Sequence, residues 1–564
     1  MGEMWGRDKN KMRGSPLRSA PVEMTILFDG TKRLPKKLIG ARCVWAHLPM
    51  ILICIGLVGC RGTVETHGSV VMIIESSPNN LDLRVGTDAQ SERVGGQIFD
   101  ALVKKDEHYE LRPWLAMSWE QPDALTWVFH LRDGARFHDG RPLEAEDVVY
   151  TIESLIDGSL VTAKGGNFAA VDHAEMRDRL TVVVKMKRPD AGLLFNMSDG
   201  LFGVVPRGSG KDFGLHPVGS GPFKFVSAVQ DKEVIVERNH DYWADRVTGM
   251  APEAGAQRIE RIRFEVVPDT ITSALELQKG SADLASNVVT LDMIHTLESR
   301  PNLKVESGPG SSVVYVTFNV TDPSLKDKRV RQAIACAIDR QTIVDAIWRG
   351  QARLANTLLP IGHWAAANNN ELAQYPHDVA RAQRLLEEAG FPADKDDVRM
   401  RLTLKTSTDE TTRLMAAVFQ QQLRAAGIQL EIRSAEFGTF YADVTKGAFQ
   451  IYALRWIGSN EDPDIFRYAY GSGSFPPKGG NRGRYSNPRV DALLAEAAAS
   501  SDRAVRKKDY VEVQQILAEE LPGIPLWYPN NELVHTRRVV NVRPRASGNF
   551  DFLRETGVTG GAAR

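Results

Sequence analysis

The residue types that could carry chemistry are scattered along the chain. There is no GxSxG elbow for a serine nucleophile and no HExxH helix for a catalytic zinc. The 12 histidines include no pair at metal-ligand spacing, and no Cys/His cluster occurs. His138 beside Asp139 lies in a turn, where a structural role is expected. Nothing in the sequence supports catalysis, a metal or a cofactor. The chemistry it does support is recognition without reaction. A solute enclosed in a cleft needs aromatic, amide and hydroxyl walls, with a charge for each ligand charge. The best such run is Arg455-Trp456-Ile457-Gly458-Ser459-Asn460-Glu461-Asp462-Pro463-Asp464. Arg455, Trp456, Ser459, Asn460 and Asp462 are its candidate ligand contacts. The structural alternative is a capped loop around a core Trp456.

The elements that must position this loop follow from periodicity. Phe449 to Trp456 reads as the strand that delivers it. Before it, Leu402 to Lys405, Thr411 to Ala426 and Ile428 to Arg433 read as strand, helix, strand, the order of a parallel βαβ unit. Far upstream, Thr126 to Arg132 alternates, with Trp127, Phe129 and Leu131 on one face of a half-buried strand. Turns at Gly134 and Gly140 follow, then a helix from Glu144 with Glu146 and Asp147 in its first turn. Val148, Val149, Ile152, Leu155 and Ile156 form its apolar stripe. Val70 to Glu75, Leu180 to Lys187, Ile259 to Val266 and Val313 to Asn319 read as strands. Helices are expected over Gly95–Val103, 270–279 with Gly280 closing it, Val330–Ile338, Thr342–Trp348, 380–390, 491–498 and 507–519. The charges of the Val330 helix, Arg331 among them, read as a solvated face with intrahelical pairs.

The stretch WLAMSWEQPDALTWVFHLRDGARFHDGRPLEAEDVVYTIESLI, Trp114 to Ile156, resembles the signature region of family 5 extracellular solute-binding proteins. The resemblance continues in order through residues 70 to 550. It includes the FDALV segment ending at Val103, Gly219-Ser220-Gly221-Pro222-Phe223, Tyr242-Trp243, Arg329-Val330-Arg331-Gln332-Ala333 to Ala337-Ile338-Asp339-Arg340, and Ile524-Pro525-Leu526-Trp527-Tyr528. One departure is Glu144, where the family caps the helix with Thr, Ser or Asn; Glu is weaker there by ~1 kcal/mol. The resemblance implies an α/β, two-lobed periplasmic-binding-protein-like fold, type II, cluster C. Lobe I would cover 70–308, with an extra subdomain at about 104–205. Lobe II would cover 309–524, and 525–564 would return to lobe I and end in a frayed tail. The implied function is a receptor of an ABC importer, for peptides or peptide-like solutes. An oligosaccharide or other small-solute receptor on the same fold is the alternative, and a periplasmic hydrolase the alternative from another class.

The resemblance also implies contacts. Ser76 lies in the loop after the first strand, which faces the cleft in the family. Asn319 ends a strand that crosses between lobes, and Tyr528 lies on the return strand. Dipeptide receptors place an aspartate for the ligand ammonium where Ser459 stands, and an arginine for its carboxylate at a position that aligns with Thr406. Serine and threonine supply no charge. Free dipeptides are therefore expected to bind poorly.

The N-terminus carries the remaining signal. Residues 1–59 hold ten basic and four acidic residues, and the remaining sixty basic and sixty-seven acidic residues leave the body mildly acidic. That body gives no footprint for nucleic acid. Lys32, Arg33, Lys36, Lys37 and Arg42 precede an apolar run from Leu48 to Val58, too short to span a membrane and the length of a signal-peptide core. Leu57-Val58-Gly59-Cys60 matches the lipobox of bacterial lipoproteins, so Cys60 is the expected lipid-attachment residue after removal of 1–59, with 60–69 as a tether. Partners are then a solute, permease subunits and the membrane through the lipid. The protein is expected to be a monomer in the periplasm or cell envelope. Cys336, alone in an apolar helix, reads as a small core residue.

Overall fold

The computed structural model describes residues 68–252 and 257–559. Expectations on residues 1–67, Cys60 included, fall outside them. One strand organises the rest: Gly523–Thr536, 14 residues long. Its first half pairs antiparallel with Val313–Phe318 and Ala352–Leu354. Its second half pairs antiparallel with Leu303–Pro309 and Leu284–Ser286. Among the described residues it thereby joins a sheet of 12 strands, whose two ends belong to two bodies with separate cores. The fold is a two-lobed α/β architecture.

In the first body Ser69–Ile74 runs parallel to Arg261–Val266 and Leu284–Ser286, over a core that includes Val70, Met72, Ile74, Val236 and Phe264. Beside it a four-stranded antiparallel sheet of Ala116–Asp123, Thr126–Leu131, Val171–Asp178 and Thr181–Met186 packs against the helix Ala145–Ile156. In the second body Met400–Ser407 and Ile428–Ala435 are parallel and joined by the helix Glu410–Ala425. Ile451–Trp456 runs parallel to Met400–Ser407. Leu402, Leu404, Phe419 and Leu430 form the core between them, and Cys336 is buried there.

Several expectations need correction. The helix expected over Gly95–Val103 runs over Ala89–Ile98, because the Asp88 carboxylate accepts from the Gln90 and Ser91 N–H groups and starts it earlier. The helix expected from Thr342 to Trp348 starts at Arg340 and changes to a π-helical turn at Val344. Arg331 is buried, not solvated: its guanidinium donates to the carbonyls of Leu325, Lys326 and Leu521, the last just past the C-terminus of Arg503–Glu520. The chain beyond Glu555 is not frayed up to Thr559. Gly557–Val558 pairs with Gln257–Arg258 and Val539–Val540, and Val558 is buried.

The scattered signature residues meet at one side chain. Asp100 is buried, and its carboxylate accepts from Trp114 Nε1, Trp243 Nε1 and the Tyr242 hydroxyl, each at 2.8 Å, and from Ser220 Oγ at 3.1 Å. Four segments far apart in sequence are thereby pinned to one point.

The long strand carries a second buried acid, Glu532. Its carboxylate accepts from Ser307 Oγ at 2.9 Å, and its other oxygen has no partner. Burial pushes this carboxyl up to about 7, with the Ser307 bond opposing it. The folded chain thus keeps a proton that the unfolded chain has released, so the stability associated with it is lost as pH rises from about 4 through 7. Glu532→Gln is expected to gain on the wild type by up to ~3 kcal/mol across that interval. Denaturant unfolding of both proteins at mildly acid and mildly alkaline pH measures the gain; a difference that stays constant with pH would contradict it.

Candidate functional site

The direction of the long strand locates the site. It runs from the second body into the first. Ile451–Trp456 runs with it, because both are antiparallel to Val313–Phe318, and Met400–Ser407 runs with Ile451–Trp456, its parallel neighbour. Their C-terminal ends therefore point toward the first body. Ser69–Ile74 and Leu284–Ser286 run against it, so their C-terminal ends point toward the second. The C-terminal ends of parallel strands from both bodies face each other, which is where open α/β sheets bind ligands.

Glu75 and Ser76 follow the first of these strands and are exposed; Arg455 and Trp456 end the facing one. Partial enclosure holds the Arg455 guanidinium below its usual range, and Arg93 of the first body adds to this while Glu75 and Asp409 oppose it. Burial likewise lowers Arg93, which lies over the Phe550 ring at 5.7 Å. Neither arginine has an ion-pair partner among the described residues. The other face of Ile451–Trp456 carries aromatics. Trp456 stacks on Tyr315 at 5.4 Å and meets Tyr468 edge-on at 6.0 Å. Phe437 and Tyr441 stack at 5.7 Å on the helix Phe437–Lys446, which follows Ile428–Ala435. Phe437, Tyr441 and Tyr468 are all exposed. One side of the mouth is charged and the other is an aromatic shelf.

The remaining expected contacts sit elsewhere in this region. Asn460 is fully buried, and its amide donates to the carbonyls of Ser311 and Leu358. Burial, then the neighbouring Asp464, pushes the Asp462 carboxyl up to about 6. The Tyr528 hydroxyl lies 2.7 Å from the carbonyls of both Thr357 and Leu359. Asn319 donates to the Phe449 carbonyl at 3.1 Å. The Asn460 amide nitrogen, the Tyr528 hydroxyl and the Asn319 amide are bonded within the protein, while the Asn460 side-chain oxygen is buried without a partner. The side chain of Ser459 lies outside the described set. Thr406 is buried, with its hydroxyl 2.9 Å from that of Ser434. Glu461 is the anchor of the loop: its carboxylate meets Lys105 Nζ and Ser311 Oγ, each at 2.8 Å, and its carbonyl lies 3.0 Å from His363 Nε2. Lys105 ends the strand Val103–Lys105, whose Val103 packs in the core beneath the four-stranded sheet, so this buried pair ties the two bodies together.

Sequence reasoning missed Glu75, Arg93, Asp409, Tyr441, Tyr468 and Arg482. A usable signal existed for Phe437 and Tyr441, two aromatics spaced i, i+4 directly after a strand. Among the described residues no cluster of three metal-ligating side chains occurs, and no helix is long and apolar enough to cross a membrane.

The sequence signature of the bacterial extracellular solute-binding proteins, family 5 middle, matches residues 110–476, well over half of the chain. The chain belongs to this family. The family 5 protein is 27% identical over 520 residues to oligopeptide-binding protein AppA of Bacillus subtilis, covering 86% of this chain and 93% of AppA. AppA solved with a nonapeptide superposes with a TM-score of 0.69 at 25% identity, over 87% of this chain and 99% of that one. The ABC transporter substrate-binding protein CtaP of Listeria monocytogenes superposes with a TM-score of 0.77 at 25% identity, over 87% and 99%. These relatives are solute-binding proteins, not enzymes.

Proposed function

We propose that this family 5 protein is a lipid-anchored receptor that captures peptides or peptide-like solutes and delivers them to an ABC permease. The observation that carries the reading is the facing of strand ends across the two bodies, with a charged wall at Arg455, Arg93, Glu75 and Asp409 and an aromatic shelf at Trp456, Tyr441 and Tyr468. Such a mouth suits a ligand with ionic ends and apolar side chains. AppA, a relative named for oligopeptide binding and solved with a nonapeptide, supports it. Lobe I (70–308, rejoined by 525–550) and lobe II (309–524) close on the solute by bending where Leu303–Pro309 leads into Val313–Phe318 and along the long strand. Ser459 and Thr406 leave the two dipeptide anchor positions uncharged, so longer peptides bind better than free dipeptides. The exposed rings also suit a sugar face, which makes an oligosaccharide the second reading. Cys60 carries the lipid in a monomeric protein at the envelope.

Calorimetric titration with dipeptide, longer-peptide and oligosaccharide panels tests the ligand class. Longer peptides are expected to bind at one site, and Trp456→Ala to weaken them by about 30-fold. Tight dipeptide binding that vanishes when either terminus is blocked would contradict the assignment.

A further inference from the structure

Arg482 is a buried cation that no acidic side chain answers. It is only 6% exposed, and among the described residues no carboxylate pairs with it. Its position is built by its neighbours. Asn481 donates to the Gly471 and Tyr485 carbonyls and accepts from the Tyr485 N–H, which fixes the turn. Gly480 lets that turn pass beneath the aromatics, since a Cβ there would stand 2.5 Å from the Tyr468 ring and 3.1 Å from Trp456. The guanidinium lies between the Tyr441 and Trp456 rings, 5.1 and 5.3 Å from their centroids, and Nη2 donates to the Tyr441 hydroxyl at 2.7 Å. Nη1 is buried without a well-aligned hydrogen-bond partner, and so is the Tyr315 hydroxyl; the Tyr452 hydroxyl stands beside both and is the neutral group that faces them.

Both residues line one cavity of about 10 Å³, together with Tyr452, Trp456 and Tyr470. That is room for a single oxygen atom. Trp456 and Tyr441, at the outer edge of this cluster, also belong to the shelf at the mouth. Cation–π contacts offset part of the cost of burying a guanidinium, but two unsatisfied donors in one cavity call for an acceptor, and the unanswered charge favours an anionic one.

We propose that Arg482 and the Tyr315 hydroxyl form a carboxylate subsite of the cleft, receiving one oxygen of an acidic ligand group from the Trp456–Tyr441 shelf. The proposal rests on the solute-receptor reading above and narrows it to ligands bearing a carboxylate. Two sources of that group are distinguishable: a peptide C-terminus, or an acidic side chain.

The test is calorimetric titration of the wild type, Arg482→Gln and Arg482→Lys with short peptides in matched pairs, free acid against C-terminal amide and Glu-containing against Gln-containing. Thermal melting confirms that each variant is folded. One member of one kind of pair is expected to bind on the order of 30- to 1,000-fold more tightly to the wild type. That preference should vanish in Arg482→Gln and return in part in Arg482→Lys. Equal binding of both members of every pair, or a preference that survives in Arg482→Gln, would overturn the subsite. If no peptide binds in any form, the peptide reading fails. The subsite then stands or falls on acetate and inorganic phosphate, which should raise the melting temperature of the wild type but not of Arg482→Gln.

Discussion

Asp100→Ala is expected to destabilise the protein by about 5 kcal/mol, at the upper end of single substitutions. The carboxylate is the common acceptor of two indole N–H groups, a phenol and a serine hydroxyl, all from buried residues. Removing it strands donors that cannot reach water, and each such donor costs about 1–3 kcal/mol. The serine can turn to another acceptor; the two tryptophans cannot, because their rings are locked edge to face at 5.2 Å. Asp100→Asn keeps one acceptor oxygen, so a loss about half as large is expected. Denaturant unfolding measures both. An Asp100→Ala protein within about 1 kcal/mol of the wild type would mean that the hub does not hold these segments.

The second large effect is at the pair that joins the bodies. Lys105 and Glu461 are both buried, and Glu461 also holds Ser311. Burial opposes the Lys105 charge, but Glu461 and then Asp199 outweigh it and hold the ammonium above its usual range. Breaking such a pair from one side leaves an unanswered charge, at about 3–5 kcal/mol. Lys105→Met and Glu461→Gln are each expected to fall in that range, and the double variant to cost clearly less than their sum. Because Glu461 follows Trp456 by five residues, Glu461→Gln should also loosen the loop and weaken solute binding. Strictly additive costs in a double-mutant cycle would show that the two residues are not energetically coupled.

Local pattern carried far into this structure. The parallel pair around Leu402 and Leu430 follows from two apolar runs flanking one helix; alternation located the strand Thr126–Leu131 but not its burial, because Thr126 and Val128 on the face opposite Trp127, Phe129 and Leu131 are buried as well, so the strand is not half-buried as expected. What periodicity could not show was the length of Gly523–Thr536. Asn530, Asn531 and Glu532 interrupt the apolar pattern, and their ladder is completed by partners distant in sequence, Ser307, Arg545 and Asn287. The aromatic and basic residues of the loop were legible as a candidate binding surface. Which of its polar residues face outward was not, because Asn460 and Glu461 are claimed by Ser311, Leu358 and Lys105, contacts that span 102 to 356 residues of sequence. Arg482 carried no signal at all, since Gly479-Gly480-Asn481-Arg482-Gly483-Arg484 reads as a surface turn until the rings around Arg482 are in place.

Small-angle scattering of the protein with and without the peptide that gives the largest heat in the titration panel tests capture between the two bodies most directly. Saturating peptide is expected to reduce the radius of gyration, and Trp456→Ala to abolish the change at the same peptide concentration. An unchanged radius of gyration at full saturation would show that the solute does not bind by closure of the facing strand ends.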